Sequence, residues 1–110
     1  MSVYLIVEAK EVFDRELYGE YVRQVPALIE KFGGKYLVRG GAVTVLSGDW
    51  EPARLIVIEF ESRGRLQQWW DSPEYRKVAP LRERGARTNA IVVEGVSLSD
   101  ILGTEKVESR

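Results

Sequence analysis

KYLVRGGAVTVLSGDWEPARLIVIEFES, from Lys35 to Ser62, is the stretch whose reading decides the architecture. Arg54 to Glu61 is an apolar, β-branched run and reads as a strand. Ile56, Ile58 and Phe60 fall on one face of it, and Leu55, Val57, Glu59 and Glu61 on the other. Lys35 to Arg39 reads as a shorter strand. The Gly40-Gly41 pair predicts a bulge or bend, with the strand resuming over Ala42 to Leu46. Ser47 to Pro52 has the Gly, Asp and Pro of a turn. Trp50 stands out there, because a large indole is costly to expose, and it is expected to pack on a partner subunit or to lid a cavity.

Working outward, Val3 to Lys10 (VYLIVEAK) is a continuous apolar run ended by charge, as expected of a strand covered on both faces. Tyr4, Ile6 and Glu8 share one face of it. Asp14 is placed to cap a helix in which Leu17, Tyr21, Val25, Leu28 and Phe32 recur at spacings of three and four. Pro26 should kink or divide that helix, and Gly33-Gly34 should end it. Downstream, Ser62 caps a short helix carrying Leu66, Trp69 and Trp70. Ser72-Pro73-Glu74 starts another, with Tyr75, Val78 and Ala79 inward. Thr88 to Glu94 is the last strand, with Ala90, Val92 and Glu94 on one face. Residues 97–110 read as a polar tail, in which Leu98, Ile101 and Leu102 could form one helical turn.

Composition narrows the function. The chain has 110 residues, enough for one domain, with 45% hydrophobic and 30% charged residues. A net charge of −1 gives no general attraction to nucleic acid or acidic lipid. Cysteine and histidine are both absent, which excludes disulfides, thiol chemistry, imidazole-bound metals and a histidine base within one chain. No apolar run approaches the ~20 residues of a membrane span. Met1-Ser2-Val3-Tyr4 lacks the start of a signal peptide, so a cytoplasmic protein without metal, cofactor, nucleic-acid or membrane partner is expected. Seven basic residues face three acidic ones between Arg63 and Arg87, either a solvated helix face or an attraction for an anion.

Strand, helix, strand, strand, helix, strand is the ferredoxin-like βαββαβ order of an α+β domain. Right-handed crossovers place both helices on one face of a four-stranded antiparallel sheet. The strands are apolar on both faces, so the uncovered one is expected to meet its copy in a homodimer.

The segments YLIVEAKEVFD, YVRQVPALIEKFGGKYLVRGG, LSGDWEPARLIVIEF, SPEYRKVAPLR and NAIVVEGV carry a resemblance as well. Over residues 3–96 the chain resembles the domain of unknown function 1330 family. That resemblance implies a dimeric α/β barrel over residues 1–96. It implies no particular reaction, although superfamily relatives include cofactor-independent oxygenases and lactone isomerases.

With sheet order 4-1-3-2, Glu8 and Glu59 are expected near the C-terminal ends of neighbouring parallel strands, with Arg39 on the strand beside Glu59. Such a group could tune a carboxylate for acid/base work, or form an ion-pair network that sets the dimer's register. Arg39 leads the Gly-Gly corner and offers a planar fork for a ligand carboxylate. Trp50, Trp70, Tyr75 and Asn89 are expected to line the same cavity, or else to serve core and interface packing. Glu8, Glu59 and Tyr75 are the catalytic candidates. Two classes of function stay open: an enzyme or binder of a small apolar acid, and a non-catalytic structural or stress-related module with a filled core.

Overall fold

Strands and helices follow one another in a split βαβ pattern in the computed structural model, which describes residues 2–96. The elements are β1 (Val3–Val12), α1 (Arg15–Lys31), β2 (Lys35–Arg39), β3 (Leu55–Phe60), α2 (Arg63–Trp70), α3 (Pro73–Gly85) and β4 (Ala86–Glu94). The tail turn expected around Leu98 lies outside the described residues. The sheet order is β2-β3-β1-β4, and every neighbouring pair is antiparallel. This is the expected ferredoxin-like α+β fold, with one correction inside it. β3 lies between β1 and β2, which a helical crossover makes parallel to each other, so β3 opposes both. Glu8 is therefore paired with Leu55 and Glu59 with Tyr4, at opposite ends of the strands.

Local signals account for most element boundaries. The Asp14 carboxylate accepts from the backbone N–H groups of Glu16 and Leu17, both at 3.1 Å, and starts α1. Ser62 Oγ accepts from Arg65 N at 3.1 Å, and Ser72 Oγ from Tyr75 N at 3.0 Å, ahead of Pro73 in the first turn of α3. Pro26 lies inside α1 without dividing it, and Pro80 lies inside α3. The lost backbone bond is outweighed at each by burial of the surrounding stripe: Val25 and Ile29 in α1, Val78 and Ala79 in α3. The two helices pack closely. Gly85 O accepts from Phe13 N and Asp14 N at 2.8 and 3.1 Å, and a Cβ on Gly85 would stand 2.8 Å from Tyr18 N.

The 35–62 stretch departs from expectation in two places. β2 has its bulge between Tyr36 and Val38, before the glycine pair. Ala42 to Leu46 does not resume the strand. Gly40 N makes the last ladder bond, 2.9 Å to Leu55 O, and Gly40 then takes a φ of 75°, turning the chain off the sheet edge. With no strand to pair beyond it, this segment stays irregular and exposed, and Leu46 is 94% accessible. The bulge has a consequence for β2: Tyr36 and Arg39, three apart, both fall on the face turned to the helices, opposite Ile58 and Ile56.

The core lies between that face and the helices. Val3, Leu5, Ile58 and Phe60 from the sheet meet Ile29, Leu66, Trp69, Tyr75 and Val78 from the helices. Among the described residues no helix is long and apolar enough to cross a membrane.

Candidate functional site

A cavity lies between the sheet and helices α1, α2 and α3, and the centre of a water molecule can move through about 60 Å³ of it. Its walls are apolar: Leu5, Val7, Ile56 and Ile58 from the strands, Val22, Val25 and Ile29 from α1, with Trp69 and Trp70 from α2. Its polar lining is unusual in composition. Arg39, Arg54 and Arg82 reach it, with Tyr18, Tyr21, Tyr36, Tyr75 and Thr88, and among the described residues no carboxylate lines it.

Each arginine has a local reason to be there. The bulge brings Arg39 inward, where its guanidinium lies 4.7 Å from the centre of the Tyr36 ring. Burial raises the Tyr36 phenol above its usual pKa, against the lowering effect of Arg39. Arg54 precedes β3, and its backbone carbonyl accepts from Ala9 N at 3.1 Å. Its guanidinium lies against Gly40, where a Cβ would come within 2.5 Å of Nη1, so the glycine corner seats the arginine. Arg82 donates from Nε to the Tyr75 hydroxyl at 3.3 Å and from Nη1 to Thr88 Oγ1 at 3.1 Å. Glu83, 3.7 Å from Arg82 Nη2, is an exposed partner outside the cavity lining. Among the described residues neither Arg39 nor Arg54 has a carboxylate within 4.0 Å.

Two buried side-chain polar atoms among the described residues have no partner, Arg54 Nε and Trp69 Nε1, and both belong to lining residues. Both are donors. A buried polar group without a partner costs about 1–3 kcal/mol, and neither atom is open to solvent.

Of the residues singled out by the sequence, Arg39, Trp70 and Tyr75 meet in this cavity. Tyr75 is fully buried, with its ring 4.4 Å from Trp69 and 5.4 Å from Trp70, centre to centre. Trp50 and Asn89 lie elsewhere. Both donate to Glu8 on the outer face of the sheet, Trp50 Nε1 at 3.3 Å and Asn89 Nδ2 at 3.4 Å. Glu59 is on that same outer face at its far end, accepting from Ser2 Oγ at 2.6 Å. The expected group of Glu8, Glu59 and Arg39 is thus not assembled: the antiparallel register separates the carboxylates, and Arg39 is on the other side of the sheet. Glu94 ends β4 opposite Val3.

Sequence reasoning missed Arg54, Arg82, Tyr21 and Tyr36 as cavity residues. Arg54 stands at the foot of a strand and Arg82 within a basic run, where a solvated role is the ordinary expectation. The inward parity of Ile56 could have pointed to Arg54, two residues earlier on the same face. Among the described residues no cluster of three or more acidic side chains could hold a metal.

A second, more open groove of about 210 Å³ lies along β4 and α2, lined by Arg63, Gln67, Ile91 and Val92 among others.

The chain matches the family described as Domain of unknown function (DUF1330) over residues 2–96, and it belongs to that family. No curated protein matches it. Among solved structures it is similar to a protein of unknown function from Rhodopseudomonas palustris, at 17% identity and a TM-score of 0.71, covering 87% of this chain and 83% of that one. It is also similar to an ethyl tert-butyl ether d (ethd) family protein from Bacillus halodurans, at 18% identity and a TM-score of 0.59, covering 86% and 99%. At these identities the likeness bears on the fold alone.

Proposed function

We propose that this protein binds a small organic acid with an apolar body, in the cavity between sheet and helices, and that it does so as a homodimer. The observation that carries this reading is a cavity whose charged lining, among the described residues, is the cations Arg39, Arg54 and Arg82, the first two with no carboxylate within 4.0 Å. A ligand carboxylate would give the Arg54 and Arg39 guanidinium groups a charged acceptor, and hydrogen bonds to a charged group contribute about 1.5–3 kcal/mol. The aromatic and aliphatic walls suit the remainder of such a molecule. Binding is favoured over acid/base chemistry, because Glu8 and Glu59 lie across the sheet and Tyr75 is the remaining candidate in the cavity.

The partner reading rests on the outer face. Val38, Ile91 and Val93 are each more than 40% exposed there, beside Ile6 and Val57, and a second copy of the same face would cover them. Trp50, 62% exposed, would gain cover in the same contact.

A thermal-shift series of benzoate, phenylacetate and short branched aliphatic acids, each beside its neutral amide, tests the ligand reading. An acid at about ten times its dissociation constant should raise the melting temperature by roughly 5–10 °C. The matched amide should do little, and Arg54→Ala should abolish the acid's effect. Equal shifts from acid and amide, or an unchanged shift in Arg54→Ala, would contradict a carboxylate site.

A further inference from the structure

The hydroxyls in the cavity are not interchangeable, because the bond from Arg82 sets a direction. Guanidinium nitrogens only donate. The Tyr75 oxygen accepts from Arg82 Nε at 3.3 Å, and its own hydrogen must then go elsewhere. Tyr75 is 0% exposed, so water cannot take that hydrogen. The acceptor in reach is the Tyr21 oxygen, 2.9 Å away. The chain therefore runs from Arg82 to Tyr75 to Tyr21. Tyr21 accepts and keeps its own hydrogen, for which no acceptor is present among the described residues.

Hydrogen bonds in series polarise one another, so a chain anchored on a fixed cation makes its last hydroxyl a better donor. Burial is the largest cause that pushes the Tyr21 phenol far above the usual tyrosine range, and the group keeps its proton. Tyr18 links this end of the cavity to the arginine at the other. Its ring stacks on Tyr21 at 5.9 Å, and both Arg54 and Arg82 act on its phenol, countering the rise that burial causes. Arg54, Tyr18, Tyr21 and Arg82 all line the same cavity.

We propose that Tyr21 donates to a second oxygen of the bound acid, so that the ligand class is oxo- or hydroxy-carboxylic acids rather than simple carboxylic acids. This rests on the reading of the cavity as an acid site. Arg54 and Arg39 take the carboxylate, and the Arg82–Tyr75–Tyr21 chain takes a carbonyl, hydroxyl or enolate oxygen.

Calorimetric titrations with paired probes test it: benzoate against its three hydroxybenzoates, and phenylacetate against mandelate and benzoylformate. Within at least one set an oxygenated acid should bind the wild type roughly tenfold more tightly than its parent. That ratio should fall to about one in Tyr21→Phe, and should shrink in Tyr75→Phe, which cuts the chain one step earlier. Equal affinities within every set, or a ratio that survives Tyr21→Phe, would overturn the second subsite while leaving the acid site intact. Failure of every acid to bind the wild type would overturn the acid site and this subsite with it.

Discussion

Tyr21 combines partial burial with a hydroxyl partner, and the consequence extends to alkaline stability. Its phenol pKa is raised first by burial, then by the neighbouring Tyr75, while Arg82 partly opposes the rise. In the unfolded chain the same phenol ionises near pH 10. Above that pH the folded state holds the extra proton, so the contribution is fully present below about pH 10 and is lost as pH climbs further. Urea unfolding at stepped pH values from 9 to 11 should show stability falling with pH. The fall should be shallower in Tyr21→Phe, by up to about 1.4 kcal/mol per pH unit. Identical slopes would mean that Tyr21 ionises as freely when folded as when unfolded. Residues of this kind are the hardest to read in a sequence. Tyr21 fits the α1 stripe as an ordinary core position, and only the neighbouring Tyr75 and Arg82, far along the chain, give its hydroxyl a direction.

At the scale of elements, capping and stripe periodicity were legible and pairing details were not. Asp14, Ser62 and Ser72 each cap the helix their position predicts. Asp14→Ala should cost about 0.5–2 kcal/mol, since the carboxylate serves two orphan N–H groups of α1. Chemical denaturation would read this directly, and a change below about 0.3 kcal/mol would show that water replaces the cap. By contrast, the bulge at Leu37 carries no glycine to announce it. It arises because β2 is an edge strand, free to add a residue opposite β3, and it turns Arg39 to the inner face. The glycines that did attract attention serve another purpose: Gly40 ends the ladder and leaves room for the Arg54 guanidinium. The expectation of parallel β1 and β3 failed on topology rather than on any residue. A strand inserted between the two arms of a βαβ crossover must run against both.

For the whole molecule, the sheet separates two chemistries. Its inner face and helices enclose a cationic cavity; its outer face carries an apolar band with the Glu8, Trp50 and Asn89 cluster at one end and Glu59 at the other. Alternating parity made both faces legible as apolar, which is why a dimer could be expected from the sequence, whereas the partition of the candidate residues between faces needed the register. Sedimentation at micromolar concentration should find a dimer, and a charge on the outer face, as in Ile91→Glu, should shift it to monomer. A wild type that sediments as a monomer would remove the proposed partner. The claim that the inner cavity is an acid site has its most direct test in nuclear magnetic resonance of the arginine Nε–H and tryptophan indole N–H groups during titration with an apolar acid such as benzoate. The acid-site reading predicts saturable shifts of Arg54 Nε–H and Trp69 Nε1–H, the two unpaired donors, with the Trp50 indole on the outer face unmoved. Shifts confined to Trp50, or no saturable shift at Arg54, would contradict it.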